Sequence, residues 1–482
     1  MLKHNLKHSM MQDNNFLEEI SSIFTDSVKS SRIIIDQVRQ IPFPKIDQDI
    51  RTVHPRGSII KLLILFKLMA VPTVNRLRFL DFEKMLPFGK DVLYKVKNSP
   101  LINWRRLLIG QSLRCTQGIH IDVRATDPWE RPCFIIDDSD MPKTGKFIEL
   151  IGRVFSHVSG KYPLGFKSMN LSYWSGQHLL HVDFSLHLEK GKTGNQGMQK
   201  KDLQRRFKKS RKRSDPGNVR FREASEKKTS SAMRMIKRAV KEGFLASYLL
   251  ADSWFFSSVL VEFAIANGLH LVSRPKWNQW KYIHEGKSYT LGELIKKLQR
   301  QKKYKTSRQL HMRTATAFVV FKGVPMKIFF FKDKKRGSKW NALITTDKAL
   351  GAVQAFKVYQ NRWSIEVSYK EIKQHLGYGK CQSRDFDGQI SDAALTLMAY
   401  NQLSQQKAIN DYQSIGYLFA EVSQDWLKPN FIQRFWDRLY ILLVEIAEIV
   451  EKDILELIDI VMKSNNTLAK FSKISRILTA ET

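Results

Sequence analysis

Four side chains in the second half of the chain fall on one helical stripe: Tyr359, Arg362, Glu366 and Lys373, at steps of 3, 4 and 7. At about 100° per residue they lie within roughly 60° of one another on an α-helix. The stripe thus presents an acid between two cations and a phenol. Val358, Ile365, Ile372 and Leu376 form a neighbouring apolar stripe that can dock the same helix on a sheet. An ordinary Arg362–Glu366 surface pair, worth about 0.3 kcal/mol, would leave Tyr359 and Lys373 with no common task. More acids stand where apolar runs end: Asp137 or Asp138 after 133–136, and Asp252 after 248–251. An Asp in such a place is more often a turn or cap residue, so each is weak evidence alone. Together they match a known requirement. Two divalent ions about 4 Å apart can drive an in-line phosphoryl transfer, and magnesium takes its ligands from carboxylate and water oxygens.

Charge points to the same substrate class. The 482 residues contain 80 Lys+Arg against 46 Asp+Glu, a formal net charge of +34. A field of that size attracts a polyanion, and nucleic acid is the commonest inside cells. The charge is segregated, with 19 Lys and Arg against 4 acids over 190–241. The densest part, KKDLQRRFKKSRKR at 200–213, offers Lys208, Lys209, Arg211, Lys212 and Arg213 as contacts to a DNA backbone. A second run at 296–308 has no acid. With 43% hydrophobic and 11% aromatic residues, general disorder is excluded. Cys115, Cys133 and Cys381 have no paired Cys/His spacing, which excludes a disulfide scaffold or zinc ribbon and fits a reducing cytosol. No apolar run approaches the roughly 18 residues of a membrane span, and the first residues lack a signal peptide's apolar core. A cytoplasmic, nucleoid-associated protein is expected.

The elements that must position these residues follow from periodicity and breakers. Helices dominate the first 125 or so residues, and 61–69 is apolar enough for a core helix. From 131 the pattern predicts strands at 133–137, 167–174 and 178–188, then the basic stretch and a helix over 230–242. A strand at 248–251, a helix over 257–267 and a strand at 269–273 come next. Residues 275–339 interrupt this order with Trp277, Trp280 and a hairpin of 316–322 and 326–332 turning at Gly323. The order resumes with a strand at 341–345 and a single long helix over 349–376 that carries the stripe. The remainder reads as helical, with a strong apolar repeat over 431–462.

The spacing Tyr-x2-Arg-x3-Glu-x6-Lys resembles the signature of the Tyr-Arg-Glu-Lys group of bacterial insertion-sequence transposases, which are DDE enzymes of the cut-and-paste type. IIDDSDMPKTGK (135–146) and LLADSWFFSS (249–258) resemble the first- and second-aspartate regions of that family. The resemblance covers roughly 131–403. It implies an α/β fold: an RNase H-like mixed-sheet core with a β-containing insertion, flanked by helical N- and C-terminal segments. The chain then divides into a helical DNA-end-binding segment (1–128), the first part of the core (129–275, with a basic loop at 190–228), the insertion (276–340), the second part of the core (341–404), and a helical segment suited to dimerisation (405–482). The resemblance implies Asp138, Asp252 and Glu366 as catalytic ligands of two Mg²⁺ ions, with Mn²⁺ as a substitute. Asp138 is preferred to Asp137 because Ser139 follows it; strand alternation does not decide. Tyr359, Arg362 and Lys373 are implied to hold phosphates, and Trp340 stands where relatives stack a flipped base. The implied activity is binding of terminal inverted repeats, cleavage of the DNA ends and joining of the 3′-hydroxyl to target DNA. The implied partners are double-stranded DNA, as transposon ends and target, and a second copy in a homodimer, with no membrane and no small-molecule substrate. The rival readings are an RNase H-like nuclease without strand transfer and a transposase-derived DNA-binding protein that has lost its chemistry.

Overall fold

The structure is a computed structural model, and it describes residues 29–41, 56–71, 89–117, 119–189, 204–335, 337–410 and 412–424. The expected helix over 431–462 and the first part of the basic loop lie outside the described residues. Four helices come first: α1 (Lys29–Arg39), α2 (Arg56–Leu68), α3 (Lys90–Lys97) and α4 (Trp104–Thr116). Strands β1 (Cys133–Pro142), β2 (Gly152–Arg153), β3 (Leu164–Trp174) and β4 (Leu179–His187) follow. Next are α5 (Pro216–Glu223), α6 (Lys228–Lys241), β5 (Tyr248–Ala251), α7 (Ser258–Ala266) and β6 (His270–Ser273). The interrupting segment holds β7 (Tyr282–His284), β8 (Lys287–Tyr289), α8 (Leu291–Arg300), β9 (Lys305–Ser307), β10 (Met312–Phe321) and β11 (Val324–Asp333). The chain continues through β12 (Asn341–Thr345), α9 (Ala352–Gln360), α10 (Trp363–Gln374) and α11 (Phe386–Asn410). The described residues thus form a mixed α/β fold with 11 α-helices, none of them long and apolar enough to cross a membrane.

Among the described residues all twelve strands join one sheet in the order β2-β3-β1-β5-β6-β12-β11-β10-β7-β8, with β4 on β3 and β9 on β10. β1 is antiparallel to β3 but parallel to β5, and β5 is parallel to β6. Parallel strands need a crossover and cover on both faces, and the sequence of β1 answers that need. Cys133 and Ile135 face one core cluster with Leu250, Val272, Ile365 and Ile372, whereas Phe134 and Ile136 face a second with Met235, Ile236 and Leu260. Helices α6 and α7 therefore lie on one face, and α9 and α10 on the other. The strands of the interrupting segment extend this sheet: β12 pairs with both β11 and β6. The β10–β11 hairpin turns on Lys322 and Gly323, both at positive φ (49° and 85°), as a two-residue turn matched to strand twist requires.

Helix α11 packs against α1 to α5, α10 and β4, and 20 of its 25 residues are buried. Several of its buried polar groups are paired, as burial demands, although Gln389 Oε1, Gln402 Oε1 and Gln406 Nε2 have no hydrogen-bond partner. Asn401 accepts the His181 N–H through Oδ1 at 2.7 Å and donates through Nδ2 to Ser112 Oγ at 2.9 Å. Asp392 accepts from Lys67 Nζ at 3.0 Å and Lys97 Nζ at 2.8 Å, tying α2 and α3 to α11. Burial raises the Asp392 pKa, but the two ammonium groups outweigh it and hold the carboxyl below the ordinary range. Asp392→Asn should remove the carboxylate that these two buried ammonium groups share. It is expected to cost about 3–5 kcal/mol of stability, measured by denaturant unfolding; a loss under about 1 kcal/mol would contradict this account.

Candidate active site

The parallel register of β1 and β5 brings two acids together. Ile136 pairs with Ala251, so the next residues along the two strands are Asp137 and Asp252. Asp252 Oδ1 accepts the backbone N–H groups of Trp254 at 2.9 Å and Phe255 at 3.3 Å, so this acid also fixes its own turn. Asp137 shares the β1 face of Cys133 and Ile135, the face on which α10 packs. Its Oδ1 accepts the Asp138 N–H at 2.9 Å, and its Oδ2 accepts Arg362 Nη1 at 3.1 Å. Burial, against Arg362 and reinforced by the Asp138 and Asp252 charges, pushes the Asp137 carboxyl up to about 7.

The motif helix differs from expectation. It is two helices, α9 and α10, joined at Asn361 and Arg362. The chain keeps helical angles there, but the hydrogen bonds tighten to the i−3 type: Arg362 N to Tyr359 O at 3.0 Å and Ser364 N to Asn361 O at 3.1 Å. Two side-chain bonds account for the tightening. Asn361 Nδ2 donates to the Trp129 carbonyl at 2.7 Å, and Ser364 Oγ donates to the Asn361 carbonyl at 2.7 Å. The stripe survives this change. Arg362 bonds both Asp137 and Glu366 and lies 5.7 Å from the centre of the Tyr359 ring. Lys373 Nζ donates to Ser139 Oγ at 2.6 Å, two residues along the same face of β1. Burial lowers the Lys373 pKa, with Asp140 opposing and Lys167 adding to the effect. Burial also pushes the Tyr359 hydroxyl up to about 12.

Asp138, preferred from the residue that follows it, faces elsewhere. It stands on the Phe134–Ile136 side of β1 and pairs with Lys228, whose Nζ also lies 4.1 Å from the centre of the Trp254 ring. Alternation decides what a residue-type rule does not, because adjacent strand residues point to opposite faces. The acid that meets the motif helix is Asp137. Carboxylate oxygens are the donors that a hard divalent cation takes. Yet among the described residues no three His, Cys, Asp or Glu are gathered to hold an ion. In this arrangement Arg362 takes the place between Asp137 and Glu366, so the donor chemistry suits a cation while the positions do not.

The dense basic run divides. Lys208, Lys212 and Arg213 are exposed. Lys209 and Arg211 were expected on DNA and instead form an internal network. Lys209 Nζ bonds Asp385 at 2.7 Å and Asp387 at 3.0 Å, and Arg211 bonds Glu149 at 2.6 Å and Asp387 at 2.9 Å. That network clips the loop to the start of α11. Trp340 is half-buried against the second core cluster. It does not line the cavity of about 730 Å³ that opens beside Arg362, which is bounded by Arg274, Lys339, Phe356, Tyr359, Gln360 and Trp363 among others.

Three positioning residues escaped the sequence reading. The Tyr369 hydroxyl donates to the Asp137 carbonyl at 3.0 Å and accepts Asn170 Nδ2 at 3.0 Å, pinning α10 to β1 and β3. Tyr369 sits between Ile365 and Ile372 on the apolar stripe, which was its signal. Asn170 and Lys228 had none, because only cross-strand pairing and the α6 start bring them here. The raised Asp137 carboxyl sets a pH dependence. Between pH 4 and 7 the folded chain holds a proton that the unfolded chain has lost, so this group's contribution to stability falls as pH rises through that window. The thermal stability of Asp137→Asn relative to the unsubstituted chain should therefore rise from pH 5 to 8. A difference independent of pH would show that Asp137 titrates normally.

Comparison with known proteins adds to this geometry. Among curated proteins none matches the chain. Residues 217–402 match the family model described as Transposase DDE domain. The matched stretch contains Asp252, Tyr359, Arg362, Glu366 and Lys373 and begins after Asp137 and Asp138. That match supports a DDE transposase.

Proposed function

We propose that the chain is an insertion-sequence transposase that binds its element's terminal inverted repeats, cleaves the DNA ends and joins the freed 3′-hydroxyl to target DNA. The observation that carries the reading is the meeting of Asp137 and Asp252 through adjacent parallel strands, with Arg362, just before α10, bonded to both Asp137 and Glu366. The order β4-β3-β1-β5-β6, antiparallel at one end and parallel at the other, supports an RNase H-like core. DDE transposases use divalent metals and act on DNA. Here the proposed acids are Asp137, Asp252 and Glu366, and the proposed ions are two Mg²⁺, with Mn²⁺ as a substitute. When bound, such ions supply activation of the nucleophile and neutralisation of the leaving oxygen.

The chain's own residues would do the rest. Arg362 offers a planar fork and Lys373 a point charge, the two common ways to grip a phosphate. Both already lie on the Asp137 face of β1, so a phosphate that they hold is brought to the acids. A homodimer that pairs two DNA ends is also part of the proposal, and the C-terminal residues expected to build it lie outside the described ones.

The deciding experiment incubates the protein with labelled terminal DNA and Mg²⁺ and resolves nicked, hairpin and joined products. Asp137→Asn, Asp252→Asn and Glu366→Gln should each abolish cleavage while DNA is still bound, with Asp138→Asn milder. Full cleavage by Glu366→Gln would sink the assignment. Arg362→Gln and Lys373→Gln should lose roughly 100-fold, the cost of misplacing a reacting group by about 1 Å, and Tyr359→Phe should lose least.

The basic run separates the two roles of its cations. Neutralising Lys208, Lys212 and Arg213 should flatten the salt dependence of DNA binding by about 0.9 in log–log slope for each phosphate that is no longer neutralised. Neutralising Lys209 and Arg211 should instead lower the melting temperature. Equal effects of the two sets on the salt slope would refute the division.

A further inference from the structure

Arg362 occupies the acids in a way that has a consequence for cation binding. Its two terminal nitrogens reach Asp137 Oδ2, at 3.1 Å, and Glu366 Oε1. The other oxygen of Asp137, Oδ1, is already committed to the Asp138 N–H at 2.9 Å. A cation shared by Asp137 and Glu366 would therefore need the place between them that the Arg362 guanidinium fills. Removing Arg362 would leave the buried Asp137 carboxylate to be neutralised by a proton or by another cation. One positive charge can leave only as another arrives.

The guanidinium also has somewhere to go. Its Nε and the Tyr359 hydroxyl are buried with no hydrogen-bond partner. Both residues line the cavity that Arg274 and Lys339 share. Orphaned donors and spare cations around one cavity suit a ligand rich in acceptor oxygens and negative charge, which is the chemistry of a phosphodiester.

We propose that Arg362 and a divalent cation bind Asp137 and Glu366 to the exclusion of each other, and that a DNA phosphate in the adjoining cavity opens the acids to the cation by drawing Arg362 away. This rests on reading Asp137, Asp252 and Glu366 as a divalent-cation site. Cation and DNA then bind with positive coupling, and the coupling is reciprocal. An enzyme built this way keeps its cutting site closed until a phosphate is in position.

Titration of the full chain with Mn²⁺, following the free ion by electron paramagnetic resonance, tests the proposal. In sodium chloride, Arg362→Gln should bind Mn²⁺ about tenfold or more tightly than the unsubstituted chain, within the usual range of coupling between sites. The double variant Arg362→Gln with Glu366→Gln should lose that gain. Sodium sulfate at equal ionic strength, standing in for a phosphate, should tighten Mn²⁺ binding to the unsubstituted chain and leave Arg362→Gln unchanged. Mn²⁺ binding that is equally tight with and without Arg362 would overturn the exclusion and keep the cation site. A gain that persists in the double variant would overturn it too, since the ion would be elsewhere. Sulfate without effect on the unsubstituted chain would overturn the role of phosphate, and this arm stands even if a variant unfolds. No Mn²⁺ bound by any of the proteins in either salt would overturn the cation site itself, and the exclusion with it.

Discussion

The parallel pairing of β1 with β5 is the constraint on which the site depends. A parallel ladder brings its two strands out at the same edge. Two acids 115 positions apart in the chain, Asp137 and Asp252, therefore arrive next to each other because the residues before them, Ile136 and Ala251, are paired. The ladder demands helices on both faces, and those helices supply the rest. α6 delivers Lys228 to one side of β1, and α10 delivers Arg362, Glu366 and Lys373 to the other.

Gathering carboxylates in a half-buried place raises an electrostatic problem, and the molecule answers it with cations of its own. Burial and two neighbouring acids drive Asp137 toward its neutral form, with Arg362 opposing them. Lys228 pairs with Asp138 on the other face of β1. Tyr369 then fixes the helix that bears Arg362, through a backbone oxygen whose charge cannot titrate. The tight i−3 bonds at Asn361 and Arg362 concentrate the departure from a regular helix at the residue that touches both acids. Such mid-helix tightening is common at functional hinges.

The same balancing recurs away from the site. A chain with a net charge of +34 still buries lysine and arginine among the described residues, several of them where acids meet them, whereas buried Lys143 donates to the Gly379 and Cys381 carbonyls. Asp392 holds Lys67 and Lys97, while Glu149, Asp385 and Asp387 hold Lys209 and Arg211. The exposed cations of the run at 296–308, on α8, β9 and the turn between them, lie on the interrupting segment. A dense run of positive residues is thus two populations, one that organises the fold and one that meets solvent.

Sequence alone determined the parts whose physics is local. Apolar periodicity located β5 and β12 at their observed bounds and β1, β3, β4, α6 and the β10–β11 hairpin within a few residues. The 3, 4 and 7 spacing found Tyr359, Arg362, Glu366 and Lys373, because helical geometry converts spacing directly into a shared face. Two things needed the tertiary structure. Neighbours on a strand point to opposite faces, so the choice between Asp137 and Asp138 depends on which face α10 covers, and α10 lies more than 200 residues away. Likewise, whether a lysine in the basic run faces solvent or an acid depends on partners such as Asp387, brought in by α11. Charge counts describe composition, whereas pairing is decided by long-range packing, and only the folded chain fixes that.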